Sequence, residues 1–141
     1  MSRVSRAGVL AAYRDGVTVI CELAALPDAP GYEHIMAFAE SARSYGRRLP
    51  PAWDLPHHRY RGTQVTVGAM ASAACAEWHL HAWDLARSLG KDYRPADPEL
   101  VLTAWQGGLP QLWPVLARWD GDDPWHFLLT ASGRDLDWAQ V

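Results

Sequence analysis

The sequence predicts an all-α fold, a single helical bundle spanning residues 1–141. Three observations carry that prediction. Apolar residues recur at three- and four-residue steps through several long blocks. Prolines, together with Gly31, Gly90 and Gly133, punctuate the chain into those blocks. Strand-like alternation is confined to one short stretch, Gln64–Val67.

The first block runs from Ser5 to Leu26, with Val9, Leu10, Tyr13, Val17, Ile20, Cys21 and Ala24 as its apolar stripe and Ser5 as a possible N-cap. Gly16 and the Val17–Ile20 run count against it, and Pro27 ends it. The second block, Tyr32 to Leu49, carries Ile35, Phe38, Ala39 and Ala42 on one face. Arg47 and Arg48 fall in its last turn, where positive charge suits the helix dipole, and Pro50-Pro51 stop it. Residues 50–64 have no period and read as a connecting loop, long enough to be functional. Thr66 can cap a third helix over residues 67–89, with Gly90 placed to close it. Its alanines let a neighbouring helix approach closely, which suits the centre of a bundle. Asp97-Pro98-Glu99 is a start signal for a fourth helix, which Gly107-Gly108 and Pro110 kink or split. Asp123-Pro124 repeats the signal for a last helix, Pro124–Ser132, closed by Gly133.

Composition narrows the function classes. Thirteen Lys+Arg against sixteen Asp+Glu give a net charge of −3, with no basic run. Nucleic acid and anionic membrane are poor partners for such a chain, because basic charge supplies most of that affinity. No apolar stretch reaches the 18 or more residues of a membrane span, and the opening residues lack a secretory signal. Cys21 and Cys75 both sit in apolar surroundings and read as reduced, packed thiols of a cytoplasmic protein. Eight tryptophans are scattered along the chain, which favours packing over a ligand cage.

One constellation carries chemistry. Glu77 and His81 lie four apart in the third block, one above the other on a helix, with Cβ atoms about 5–6 Å apart. A carboxylate and an imidazole so placed can share a divalent cation, zinc being the usual one. Asp84, three residues on, can hold the outer imidazole nitrogen. The plainer alternative is a surface Glu–His pair. The small and aromatic flanks favour burial, so the pair is expected to point into a cavity of the bundle. His79 is turned about 200° away from the pair and reads as a satisfied or exposed histidine. His57 and His58 in the loop and His34 on the second helix are candidate additional ligands, and His126 reads as structural. Phosphate-loop, nucleophile-elbow, HExxH and CxxC patterns do not occur, and no catalytic residue can be named.

The string GTQVTVGAMASAACAEWHLHAWDLARSLGKD resembles the metal-helix signature of the mycothiol-dependent maleylpyruvate isomerase-like proteins, a branch of the DinB-like four-helix bundles. The matching residues are Glu77, His81, Trp83-Asp84-Leu85-Ala86 and Gly90. The tail DGDDPWHFLLTASGRDLDW resembles the family's closing helix. The resemblance implies a DinB-like bundle with zinc or another divalent metal on three protein ligands, Glu77 and His81 among them, and Asp84 behind His81. It implies a mycothiol-type thiol cofactor and transfer or isomerisation on a small electrophilic substrate. The family takes its third ligand, a histidine, from an earlier helix that has no counterpart here, and residues 32–49 form an additional segment. The expectation is therefore that the chain is a fragment, or that His34, His57 or His58 substitutes, or that the site is degenerate in a non-catalytic bundle binding a small ligand or protein. A bundle short of helices exposes apolar faces, so a homodimer is expected, with segment 32–49 filling the gap or exchanging between subunits.

Overall fold

The computed structural model describes residues 5–27, 29, 31–60, 62–108, 114 and 118–134. It is mostly helical. The described elements are α1 (Arg6–Ala24), α2 (Tyr32–Ala52), a hairpin of β1 (Pro56–Tyr60) and β2 (Thr63–Thr66), α3 (Val67–Ser88), α4 (Pro98–Gly108) and α5 (Pro124–Ala131).

Local chemistry sets most of the helix ends. The Ser5 hydroxyl accepts from the Gly8 N–H and the Thr66 hydroxyl from the Ala69 N–H, each relieving an unpaired first-turn donor. Asp97 accepts from the Leu100 N–H at 3.1 Å, and Asp123 accepts from the N–H groups of Trp125 and His126. Gly90 follows α3 with a φ of +70°, the left-handed conformation that turns the chain out of a helix.

Two features differ from the sequence-based expectation. Pro50 and Pro51 do not stop α2, which runs one residue further to Ala52. Prolines in the last turn forfeit only two backbone bonds, and the continuation keeps Leu49 buried and lays Trp53 against Gly68. Arg47 and Arg48 consequently sit before the last turn. The second difference is in segment 50–64, where part of the expected loop is an antiparallel hairpin. His58 pairs with Val65 and Arg59 with Gln64, and Gly62 takes a φ of +81° in the two-residue connection. An irregularity between Pro56 and His58 leaves His57 out of register. All-α is thus corrected to helical with one small hairpin. The proposed break near Pro110 lies outside the described residues.

Helix α3 is the axis of the molecule. On one side Val9, Tyr13 and Val17 of α1 and Ala39, Ala42 and Leu49 of α2 pack around its Ala71 and Cys75. On the other, Val101, Leu102 and Trp105 of α4 and Trp125, Leu128 and Leu129 of α5 pack around its Ala76, Leu80 and Trp83. Arg6 reaches the Pro50 carbonyl while the Tyr13 hydroxyl donates to the Ala42 carbonyl, so α1 and α2 run antiparallel. The segment 32–49, expected as an insertion, packs on α1 of its own chain. No helix among the described residues is long and apolar enough to cross a membrane.

Candidate functional site

With both flanks of α3 occupied, one stripe of the helix is left facing outward. Glu77, His81, Asp84 and Ser88 lie along it at helical spacing. His81 Nε2 is 3.7 Å from Glu77 Oε2, and His81 Nδ1 is 3.5 Å from Asp84 Oδ2. Each nitrogen of one imidazole thus faces a carboxylate. Asp84 is fixed from the far side by Arg134, whose Nε and Nη2 donate to its two carboxylate oxygens at 3.0 and 2.8 Å. That two-point guanidinium clamp restricts Asp84 to one orientation.

The expected cavity is not where the row points. The Glu77 side chain is 41% exposed and that of His81 57% exposed. The turn of α3 had to be set by the packing of its neighbours. Alanines and aromatics on three sides let α1, α2, α4 and α5 close around the helix, and the charged stripe turns to solvent because water solvates it at least cost. Among the described residues the buried polar side chain of the core is instead His79, 2% exposed. Its Nε2 lies 2.8 Å from the Ala12 carbonyl of α1 and its Nδ1 2.5 Å from the Tyr93 hydroxyl. A carbonyl only accepts, so Nε2 carries the proton and Nδ1 accepts from Tyr93. Burial pushes the His79 pKa below its ordinary value. His79 is the satisfied histidine that its angle on the helix allowed.

The geometry of the row fits a divalent ion as a two-donor ligand. Two bonds of about 2.1 Å at a tetrahedral angle separate their donor atoms by about 3.4 Å. The observed 3.7 Å is a few tenths of an ångström from that. A complete shell is another matter. Among the described residues no group of three or more His, Cys, Asp or Glu side chains is placed to hold a metal ion. His57 is exposed on the hairpin, which joins the N-terminal end of α3. Glu77 lies ten residues beyond Val67, about 15 Å along the helix. The His58 backbone is in β1, and its side chain is outside the described set. His34 is exposed in the first turn of α2, and His126 is exposed on α5.

Sequence reasoning missed Arg134. It follows the closing Gly133 and carries no periodic signal, so only the approach of the chain after α5 to α3 brings it to Asp84. Tyr93, in the connection between α3 and α4, was equally invisible as the partner of His79. No protein-family model, curated protein or solved structure matches this chain.

Proposed function

We propose that the Glu77–His81–Asp84 row is one half of a divalent-metal site, with zinc the preferred ion. On that reading the chain is a metal-dependent, thiol-linked transferase or isomerase acting on a small electrophile. The observation that supports the metal half is the carboxylate oxygen and imidazole nitrogen 3.7 Å apart, with the other imidazole nitrogen facing a clamped carboxylate. Carboxylate–histidine pairs of this kind raise ligand basicity and orient the ring. The thiol chemistry rests on the family resemblance. A bound zinc ion would supply the lowering of a thiol pKa that keeps it as thiolate.

The chain's own residues have defined parts in this reading. Glu77 and His81 supply two donors, and Asp84 holds the Nδ1 side so that Nε2 is free to bind. The remaining donors come from beyond the row. Among the described residues the structure brings neither His34 nor the hairpin of His57 and His58 to the row, so the sources are the same row on a second copy in a homodimer, or the thiol cofactor itself.

A second reading has its own support. Donors this open to water hold an ion weakly, and exposed i, i+4 pairs are often nothing more than surface pairs. The chain would then be a non-catalytic bundle that binds a small ligand or protein partner. Metal analysis of tag-free protein, followed by calorimetric zinc titration of wild type, Glu77→Gln and His81→Ala, separates the two. The metal reading expects zinc binding that falls at least tenfold in each variant. Equal binding by all three proteins, or none by wild type, refutes it and leaves the binding module.

A further inference from the structure

Away from the row, residues of α1 and α2 line a groove of about 410 Å³. Leu10, Tyr13, Val17 and Pro50 supply apolar surface, and Arg14, Arg43 and Arg47 supply three guanidinium groups. Among the described residues its lining holds no carboxylate, and none of the three arginines forms an ion pair. Their few contacts are weak. Arg14 Nε donates to the Leu10 carbonyl at 3.4 Å, and an Arg43 Nη donates to Cys21 Sγ at 3.4 Å. Each guanidinium carries five N–H donors, so most remain available to a ligand.

We propose that this groove binds a small organic anion with an apolar body, a medium-chain or aromatic carboxylate. Three features together select that chemistry. The volume falls in the range of small-molecule sites, about 300–1,000 Å³, and is small for a protein segment. From Leu10 to Thr18 the groove follows α1 for about 12 Å, long enough to lay a short apolar chain beside Tyr13 and Val17. Arg43 and Arg47 are like charges at i, i+4, an arrangement that costs stability until an anion lies between them. Guanidinium groups match a carboxylate's two oxygens with paired N–H donors, which an ammonium group does not. A neutral apolar ligand would satisfy the floor and leave those charges unanswered. The groove is built by α1 and α2 alone, so this proposal stands whether or not the metal row functions.

The test is calorimetric titration with octanoate, 1-octanol and acetate. Octanoate is expected to bind, 1-octanol at least tenfold more weakly, and acetate not measurably. The double variant Arg43→Gln/Arg47→Gln is expected to lose at least tenfold in octanoate affinity. Both side chains are exposed, so circular dichroism and thermal melting should show the fold retained. Thr18→Trp, which fills the groove and leaves every arginine, should also abolish binding. His81→Ala should bind octanoate as wild type does. No octanoate binding, equal affinity for octanoate and 1-octanol, or octanoate binding unaffected by the arginine substitutions would overturn the proposal.

Discussion

Replacing His79 by Leu removes the polar link between α1, α3 and the Tyr93 segment while keeping a side chain in the core. His79 is 2% exposed and bonded at both ring nitrogens. The substitution deletes both bonds and leaves the Tyr93 hydroxyl without its acceptor. A hydrogen bond contributes about 1 kcal/mol net and an orphaned buried polar group costs about 1–3 kcal/mol, so the loss should be about 2–4 kcal/mol. At roughly 4 °C per kcal/mol for a chain of this size, the melting temperature should fall by about 8–16 °C. The pH dependence is the sharper test. Burial lowers the pKa of folded His79 below its ordinary 6.5. The unfolded chain therefore takes up the proton first as pH falls. The stability contributed by neutral His79 is complete above about pH 6.5 and drains away below it, by at most about 1.4 kcal/mol per pH unit. The other histidines described are exposed and common to both proteins, so they cancel in the difference. Urea melts followed by tryptophan fluorescence at pH 8, 7, 6 and 5 would measure this. The gap between wild type and His79→Leu should be constant from pH 8 to 7 and narrow below 6.5. A gap that stays constant down to pH 5 would show that the His79 network does not act as described. A double-mutant cycle with Tyr93→Phe should return a coupling of about 0.5–3 kcal/mol.

Two further outcomes follow from the packing. A Cβ at Gly68 would stand 2.5 Å from the Trp53 ring, so Gly68→Ala should destabilise by about 1–3 kcal/mol in chemical denaturation, despite alanine's better helix propensity. Burial pushes the Cys75 thiol up to about 12, and the residue is fully buried, whereas Cys21 is partly exposed beside Arg43. Iodoacetamide at pH 8 should therefore label Cys21 in the folded protein and Cys75 only after unfolding, as peptide mass mapping would show; labelling of Cys75 at the rate of Cys21 would contradict the core arrangement.

The helices and most of their ends are legible in the residue order. Ser5, Thr66, Asp97 and Asp123 start helices through bonds to backbone within three residues, and such local chemistry is written in the order of the residues. The same local rule misread Pro50-Pro51, because burying Leu49 and docking Trp53 on Gly68 outweighed two missing backbone bonds. Of the hairpin it showed only the second strand, as the alternation at Gln64–Val67, because β1 is too short and polar to announce itself before it pairs. For the site, helical periodicity determined relative angles. Glu77, His81 and Asp84 share a stripe and His79 opposes it, as their spacing requires. Periodicity carries no absolute direction. Which stripe meets the core depends on where α1, α2, α4 and α5 come to lie. Alanine-rich flanks that looked able to bury Glu77 and His81 bury His79 instead. The tertiary structure alone decided that orientation, and with it the Arg134 clamp and the three-arginine groove, because each joins residues far apart in the chain that only packing brings together.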